Sequence, residues 1–170
     1  DTQDSRLLFF EDYVLGDLNT HDEVFDLFKI LFDSHIVLQA GFWKEVRISI
    51  KNTKFVQVPA SLFLHEAALE YLQFNAQVDL TKEDVLSCRN NLIDAVTVFA
   101  IHKEMHDWFK LIYANTTLTI IHQSAALIEG VVHYAKSEEK MPLYVYVDRF
   151  KLHILAVTKG KLIYYNQFLI

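Results

Sequence analysis

The sequence predicts an α/β protein that ends in a β-meander, on two patterns. From Asp94 onward, apolar runs alternate with segments of helical spacing, and three strand-like segments follow from Leu143. Such alternation is typical of parallel strands joined by crossover helices. Hydrophobic residues make up 52% of the chain, against only four Gly and two Pro, so we expect long regular elements and a packed core instead of disorder.

The first predicted elements are a strand and a helix. Residues 6–15 are apolar and aromatic enough for a strand, which Gly16 ends. Thr20 and Glu23 have the spacing of a capping box, in which both side chains bond free N–H groups at a helix start. Apolar residues at helical spacing follow: Val24, Phe25, Phe28, Leu31 and Phe32.

A hairpin and a second helix come next. Residues 46–50 alternate between apolar and polar side chains, residues 51–54 can turn the chain, and residues 55–58 return it up to Pro59. Residues 61–74 have a helical pattern. The side chains expected to face inward are Leu62, Leu69 and Leu72, with Phe63 or Phe74 as further candidates. We interpret the polar segment 81–91 as a loop or a short helical turn.

The later part of the chain alternates regularly and then changes. Strands are expected at 95–101 and 118–121, parallel to each other, with helices at 103–113 and 124–134. The polar run 136–140 is the best linker candidate. Strands at 143–148, 152–158 and 161–168 then form the meander, with a hairpin turn at 158–161. Neither face of the meander is clearly polar, so it needs cover on both sides, from the rest of a longer protein or from a partner chain.

Charge and composition narrow the class of protein. The net charge of −6 and the scattered Lys and Arg residues disfavour nucleic-acid binding. The lone Cys88 cannot form an internal disulfide, and a free thiol suits the cytoplasm. No apolar run approaches the roughly 20 residues that cross a bilayer, and no signal-peptide pattern is present. Because the chain starts without Met and stops on apolar residues, we expect a fragment of a longer protein.

Histidine and serine residues that could bind a metal or act in catalysis lack the neighbouring residues that the known motifs require. His102 and His106 could share a helix face at a spacing that zinc can use, but Lys103 stands where a metalloprotease needs Glu. We interpret them as half-exposed helix residues and predict no metal. His122 and Ser124 lack the glycines of a nucleophile elbow, so we interpret Ser124 as a helix N-cap.

Other candidate motifs are also weak. The four glycines lie too far apart to form a phosphate-binding loop. The carboxylate pairs Glu83-Asp84 and Glu138-Glu139 lie in polar stretches and are interpreted as solvated surface. We therefore predict no catalytic residues.

Aromatic residues leave two alternatives open. Phe42 and Trp43 follow Gly41 in a predicted loop, where an exposed pair would mark a partner surface and a buried pair would belong to the core. Trp108, on the helix 103–113, is expected to face the core.

Four separated segments resemble one family. FVQVPASLF (55–63), EYLQFN (70–75), HQSAALIE (122–129) and KGKLIYYN (159–166) resemble, in order, the uncharacterised bacterial family called domain of unknown function thirty-eight twenty-two. The resemblance runs from about Arg6 to Phe168. That family, familiar from Bacteroidetes-type genomes, is similar to the actin, hexokinase and heat-shock chaperone ATPase superfold, which is ribonuclease H-like, and within it to pilus-assembly and secretion-platform proteins.

The resemblance implies a two-lobed organisation. Residues 1–138 would be a first actin-like lobe, with a mixed sheet and flanking helices, that lacks its first strands. Residues 6–15 would be its third strand. Residues 139–170 would open the second lobe with the three-strand meander.

The resemblance also implies where a nucleotide would bind. Active members hold an acidic residue followed by glycines in the first hairpin of each meander. Asp148 occupies the acidic position here and is the one candidate cofactor-binding residue. Arg149, Phe150 and Lys151 replace the small residues, and their side chains would obstruct the close backbone approach that a phosphate requires.

Two functions follow as hypotheses. The first is a non-catalytic scaffold with a degenerate phosphate site and no cofactor, which acts through a protein partner or self-association, without nucleic acid. The second is an ATP-binding or ATP-hydrolysing enzyme whose remaining site residues lie outside this chain. A small-molecule pocket between the lobes is a third, weaker possibility.

Overall fold

The structure is a computed structural model that describes residues 7–14, 16, 20–137 and 140–170. It divides into two compact units, Asp1–Trp43 and Lys44–Ile170. The first unit contains helices α1 (His21–Ser34) and α2 (Ile36–Gln39). The predicted capping box is confirmed: the Glu23 N–H donates to Thr20 Oγ1, and the Thr20 N–H donates to Glu23 Oε2, both at 3.2 Å.

The strand predicted at 6–15 is wrong for residues 7–14, which form no strand. Arg6 and Leu15 lie outside the described residues. The segment is apolar enough for a strand, but a strand also needs a neighbour to bond, and none of the described strands pairs with residues 7–14.

The second unit contains eight described strands in three sheets. Strands β1 (Glu45–Ile50) and β5 (Thr117–His122) form a parallel pair. Strands β2 (Phe55–Pro59), β4 (Ala95–His102) and β3 (Glu83–Asn90) form an antiparallel sheet in that order. Strands β6 (Leu143–Asp148), β7 (Lys151–Thr158) and β8 (Lys161–Leu169) form the predicted meander.

Three α-helices lie between these strands. They are α3 (Ala68–Gln73), α4 (Lys103–Ile112) and α5 (Gln123–Tyr134). Helices α4 and α5 confirm their predictions to within a residue at each end. The helix predicted at 61–74 begins only at Ala68, after two short 3-10 turns, and it leaves Leu62 and Phe74 exposed while Leu72 is fully buried.

Two predicted pairings are wrong. β2 does not return on β1 but pairs with β4, and β4 is the centre of an antiparallel sheet instead of a parallel strand. Its residues Val98 and Phe99 are fully buried. A central strand that is covered on both faces has a continuous apolar sequence whether its neighbours are parallel or antiparallel. The apolar pattern therefore could not distinguish a parallel from an antiparallel sheet.

The loop predicted at 81–91 is also wrong, because β3 occupies most of it. Two of its polar residues, Glu83 and Asn90, are buried with partners. Lys54 Nζ donates to both oxygens of Glu83, at 2.8 and 2.7 Å, and Asn90 Oδ1 accepts from the Thr97 hydroxyl at 3.2 Å. Glu83 is therefore buried, contrary to its interpretation as solvated surface.

The meander has one covered face and one exposed face. Ile128 and Val132 of α5 pack with Leu155 and Val157 of β7. On the opposite face, the described side chains of β6 at positions 143, 145 and 147 are more than half exposed. The predicted turn between β7 and β8 is present, with positive φ at Lys159 and Gly160. Among the described residues, no helix has the length and apolar character needed to cross a membrane.

Candidate functional site

Three chain segments meet at the carboxyl end of the parallel pair. Ile50 of β1 lies opposite His122 of β5, so Lys51 and Gln123, which follow them, emerge at the same edge of the sheet. The turn between β6 and β7 brings Asp148 to this edge. In α/β sheets, ligands bind outside the carboxyl ends of the strands, so this is the natural place to look for a site.

Asp148 is held by two side chains from the other two segments. Lys51 Nζ lies 2.5 Å from Asp148 Oδ2, and Gln123 Nε2 donates to the same oxygen at 3.1 Å. The hydrogen bond from Lys51 lowers the pKa of Asp148 more than burial raises it, and the hydrogen bond from Gln123 makes a smaller contribution that also lowers it. The carboxylate is therefore ionised and already paired at neutral pH.

The turn after Asp148 differs from a glycine-rich loop in its side chains, although one of its residues has a backbone conformation that favours glycine. Arg149 has φ = 50°, in the left-handed region that favours glycine. Phe150 is exposed, and its carbonyl accepts from the Ile170 N–H at 2.9 Å. Lys151 lies opposite Asp148, and burial followed by repulsion from Lys51 lowers its pKa.

A buried polar network lies on the inner side of this region. His122 Nδ1 accepts from the Ser124 N–H at 3.2 Å and lies 2.7 Å from Ser124 Oγ. The Tyr165 hydroxyl lies 3.0 Å from His153 Nδ1. Burial raises the pKa of Tyr165, and a hydrogen bond with Ser124 opposes this rise, so the hydroxyl of Tyr165 links the two histidines through Ser124.

The network suits a structural role better than nucleophilic chemistry. His122 is stacked on Phe55 at 4.4 Å between ring centroids, and burial lowers its pKa to about 4. Its imidazole is therefore neutral at pH 7. Ser124 is fully buried, so its hydroxyl is out of reach of a substrate. The N-cap prediction for Ser124 is wrong: His122 is the N-cap of α5, and its ring accepts the bond that a serine would.

The other predicted candidates lie elsewhere. His102 ends β4 and His106 lies on α4, where its Nδ1 is 2.7 Å from Asp84 Oδ2. Asp84, His106 and Asp107 place their ligand-type atoms within 4.8 Å of one another. The Asp107 carboxylate also pairs with Lys110 at 2.6 Å, so ion pairing accounts for this group. Glu138 and Glu139 lie outside the described residues.

The aromatic pair is exposed. Phe42 is 73% exposed, and its ring centroid lies 4.7 Å from that of Trp43. Trp43 is 36% exposed, and its indole N–H donates to the Val37 carbonyl at 2.8 Å. Phe42 is therefore exposed, as in the first of the two alternatives, and is not part of the core. Trp108 is half-buried next to Phe109, which is buried.

Sequence reasoning found Asp148 but not its partners. A signal for them existed, since Lys51 and Gln123 are polar residues placed directly after two strands. Their proximity could be deduced only if β1 and β5 were known to be parallel neighbours.

The class of fold is that of the actin-like ATPases. The chain is similar to a solved protein of Bacteroides thetaiotaomicron described as having an actin-like ATPase fold and unknown function, with a TM-score of 0.74 and 23% sequence identity. The match covers 84% of this chain and 54% of that protein. The chain thus spans about half the length of its solved relative and has the fold of part of it.

The family follows from the sequence as a whole. The model of the family described as Protein of unknown function (DUF3822) matches residues 1–170, and the chain belongs to this family. The resemblance stated from four segments is thereby confirmed. A comparison with curated proteins found no match.

Proposed function

We propose that this protein is a non-catalytic member of the actin-like fold, in which the phosphate-binding hairpin has become a structural clamp and the protein acts through protein contacts. The observation that carries the proposal is the pairing of Asp148 with Lys51 and Gln123. In the proposed organisation, residues 1–138 belong to the first lobe and residues 139–170 open the second. The clamp then ties the second lobe to the first.

The contacts of Asp148 support this role. A carboxylate that coordinates a metal–nucleotide complex shares its charge with the metal, whereas the charge of Asp148 is already paired with Lys51 through Oδ2, which also accepts from Gln123. Releasing Lys51 would leave a partly buried charge without its partner, which costs free energy. The Arg149 and Phe150 side chains also stand where a phosphate loop exposes backbone N–H groups. The exposed apolar face of β6 is consistent with protein contacts.

The alternative is an ATP-binding protein, and one observation favours it. Two ammonium groups, of Lys51 and Lys151, lie near the Asp148 carboxylate at the carboxyl end of parallel strands. Lysines are common phosphate partners in proteins. In this case Asp148 would exchange Lys51 for a bound metal–nucleotide complex, and the remaining residues of the site would lie outside this chain.

Thermal unfolding of the full-length protein with and without millimolar Mg-ATP distinguishes the two. The scaffold proposal predicts no shift in the unfolding midpoint, whereas ligand at 100 times its Kd would add about 2.7 kcal/mol of stability. The matched variants are Asp148→Asn at the clamp and Asp94→Asn at an exposed position. A nucleotide-dependent shift that Asp148→Asn abolishes and Asp94→Asn retains would reject the scaffold and favour the alternative.

A further inference from the structure

His122 lies next to both residues that hold the Asp148 carboxylate. It directly precedes Gln123 at the N-terminus of α5. In the parallel pair it lies opposite Ile50, the residue before Lys51. A displacement of His122 therefore moves both hydrogen-bond donors of the Asp148 clamp.

Only the neutral His122 ring can make the contact seen at the start of α5. Its Nδ1 accepts from the Ser124 N–H at 3.2 Å, which satisfies one of the free donors in the first turn of the helix. A proton on Nδ1 would remove this acceptor. It would also place a positive charge at a helix N-terminus, where the backbone N–H groups already carry partial positive charge. The proton of the neutral ring is therefore on Nε2.

The surroundings of the ring cannot solvate a second proton. His122 is 1% exposed and packs against the rings of Phe55 and Phe99, at 4.4 and 5.7 Å between ring centroids. Its Nε2 makes no hydrogen bond with the described residues. The nearby Asn52 carbonyl raises the pKa of His122, but burial lowers it by more. An imidazolium at this position would be a buried charge without water.

The titratable groups that face His122 from neighbouring elements provide no negative charge. They are Cys88 of β3, Lys151 and His153 of β7, and Tyr165 of β8, which is linked through Ser124. Burial raises the pKa values of the Cys88 thiol and the Tyr165 hydroxyl, so both are neutral at pH 7. Two carboxylates of this region are already bonded, Asp148 in the clamp and Glu129 of α5 to a backbone N–H. A second proton on His122 would therefore be an unpaired positive charge.

We infer that His122 is the proton-sensitive positioning residue of the Asp148 clamp: its neutral ring holds Lys51 and Gln123 in place, and its protonation releases Asp148. Release follows because the proton breaks the bond to the Ser124 N–H, so the first turn of α5, which contains Gln123, loses its cap. This role rests on the proposed function, in which the clamp ties the second lobe to the first. Acidification would then loosen that tie without any ligand.

Hydrogen exchange of the full-length protein, followed by NMR at pH 7 and 5 without nucleotide, tests this role. Two groups report on the clamp: the Ser124 N–H, bonded to the His122 ring, and the Gln123 side-chain amide, bonded to Asp148. If opening returns the pKa of His122 from about 4 to 6.5, the open population rises about 20-fold between pH 7 and 5. Both protection factors should fall by this factor after correction for the intrinsic exchange rate.

A comparison within α5 separates release of the clamp from global unfolding. Val132 is buried in the later part of the helix, and exchange of its N–H marks global unfolding. Ser124 and Gln123 should exchange faster than Val132 at both pH values. Their exchange should also be unchanged in about 1 M urea, which accelerates exchange that requires global unfolding.

Two variants assign the effect to one histidine. His122→Asn keeps an acceptor for the Ser124 N–H but cannot titrate, so its protection factors should not depend on pH. His133→Gln changes an exposed histidine of the same helix and should behave as the parent protein does. No fall in the parent, a fall that persists in His122→Asn, or exchange no faster than that of Val132 would overturn the proposal. If His122→Asn does not fold, the pH and urea dependence of the parent still decides. A stability shift with Mg-ATP, which would reject the scaffold, leaves these outcomes unchanged.

Discussion

Lowering the pH from 7 to 5 should weaken the folded state through one buried histidine. His122 is 1% exposed, and burial lowers its pKa from 6.5 to about 4. In the unfolded chain the imidazole returns to about 6.5. Because the folded state binds the proton less tightly, the contribution of His122 to stability is complete above about pH 6.5 and is lost as the pH falls towards 4.

The size of the effect follows from the two pKa values. A difference of 2.5 units, from 6.5 to about 4, corresponds to about 3 kcal/mol in total, of which about 2 kcal/mol is lost by pH 5. Burial also lowers the pKa of His153, which adds a loss of the same sign. Asp148, whose pKa is lowered, loses its stabilising charge only at more acidic pH. The interval from pH 7 to 5 therefore reports mainly on histidine.

Urea unfolding at pH 7, 6 and 5 measures the effect in the parent protein and two variants. His122→Asn keeps an acceptor for the N–H of Ser124 but cannot titrate, so its stability should depend less on pH. His133→Gln changes an exposed histidine and should keep the parent's pH dependence. Unchanged stability of the parent between pH 7 and 5 would refute the reasoning. If His122→Asn does not fold, an NMR titration that places the pKa of His122 near 6.5 would refute it equally.

Three further predictions concern packing, the turn and a buried ion pair. Leu72→Ala should lower the free energy of unfolding, measured in urea, by about 3 kcal/mol because Leu72 is fully buried. Phe74 is 86% exposed, so the control Phe74→Ala should change this free energy by less than about 0.5 kcal/mol. Arg149→Gly should raise the thermal midpoint by relieving about 1 kcal/mol of backbone strain, and a lower midpoint would show that the arginine makes stabilising contacts. Glu83→Ala should cost about 2 kcal/mol because Lys54, whose side chain is 36% exposed, and the Asp79 N–H both lose their buried acceptor. Adding Lys54→Met should recover part of that loss, and additive effects in this double-mutant cycle would contradict the pairing.

The elements that the sequence predicted correctly depend on short-range signals. The capping box at Thr20 and the turn at Gly160 are each contained within four residues, and the meander follows from strands that are adjacent in the sequence. β3 was missed because its polar residues suit a strand only through distant partners. Glu83 needs Lys54, and the two are 29 positions apart.

The candidate site shows the same limit. Asp148 was found because a family resemblance marked its position in a hairpin. Lys51 is far from Asp148 in the sequence, and the contact between them depends on the parallel register of β1 and β5. Local periodicity gives the strands but contains no information about which of them are neighbours.

The parallel pairing of β1 with β5 has a consequence for the order of folding. All of residues 51–116 lie between the two strands, so their ladder can form only after a long loop closes. The β3–β4 hairpin and the β6–β7–β8 meander require only local closure and can form much earlier. We expect the edge that carries Lys51 and Gln123 to be completed late, so that the Asp148 clamp closes among the last contacts of the native state.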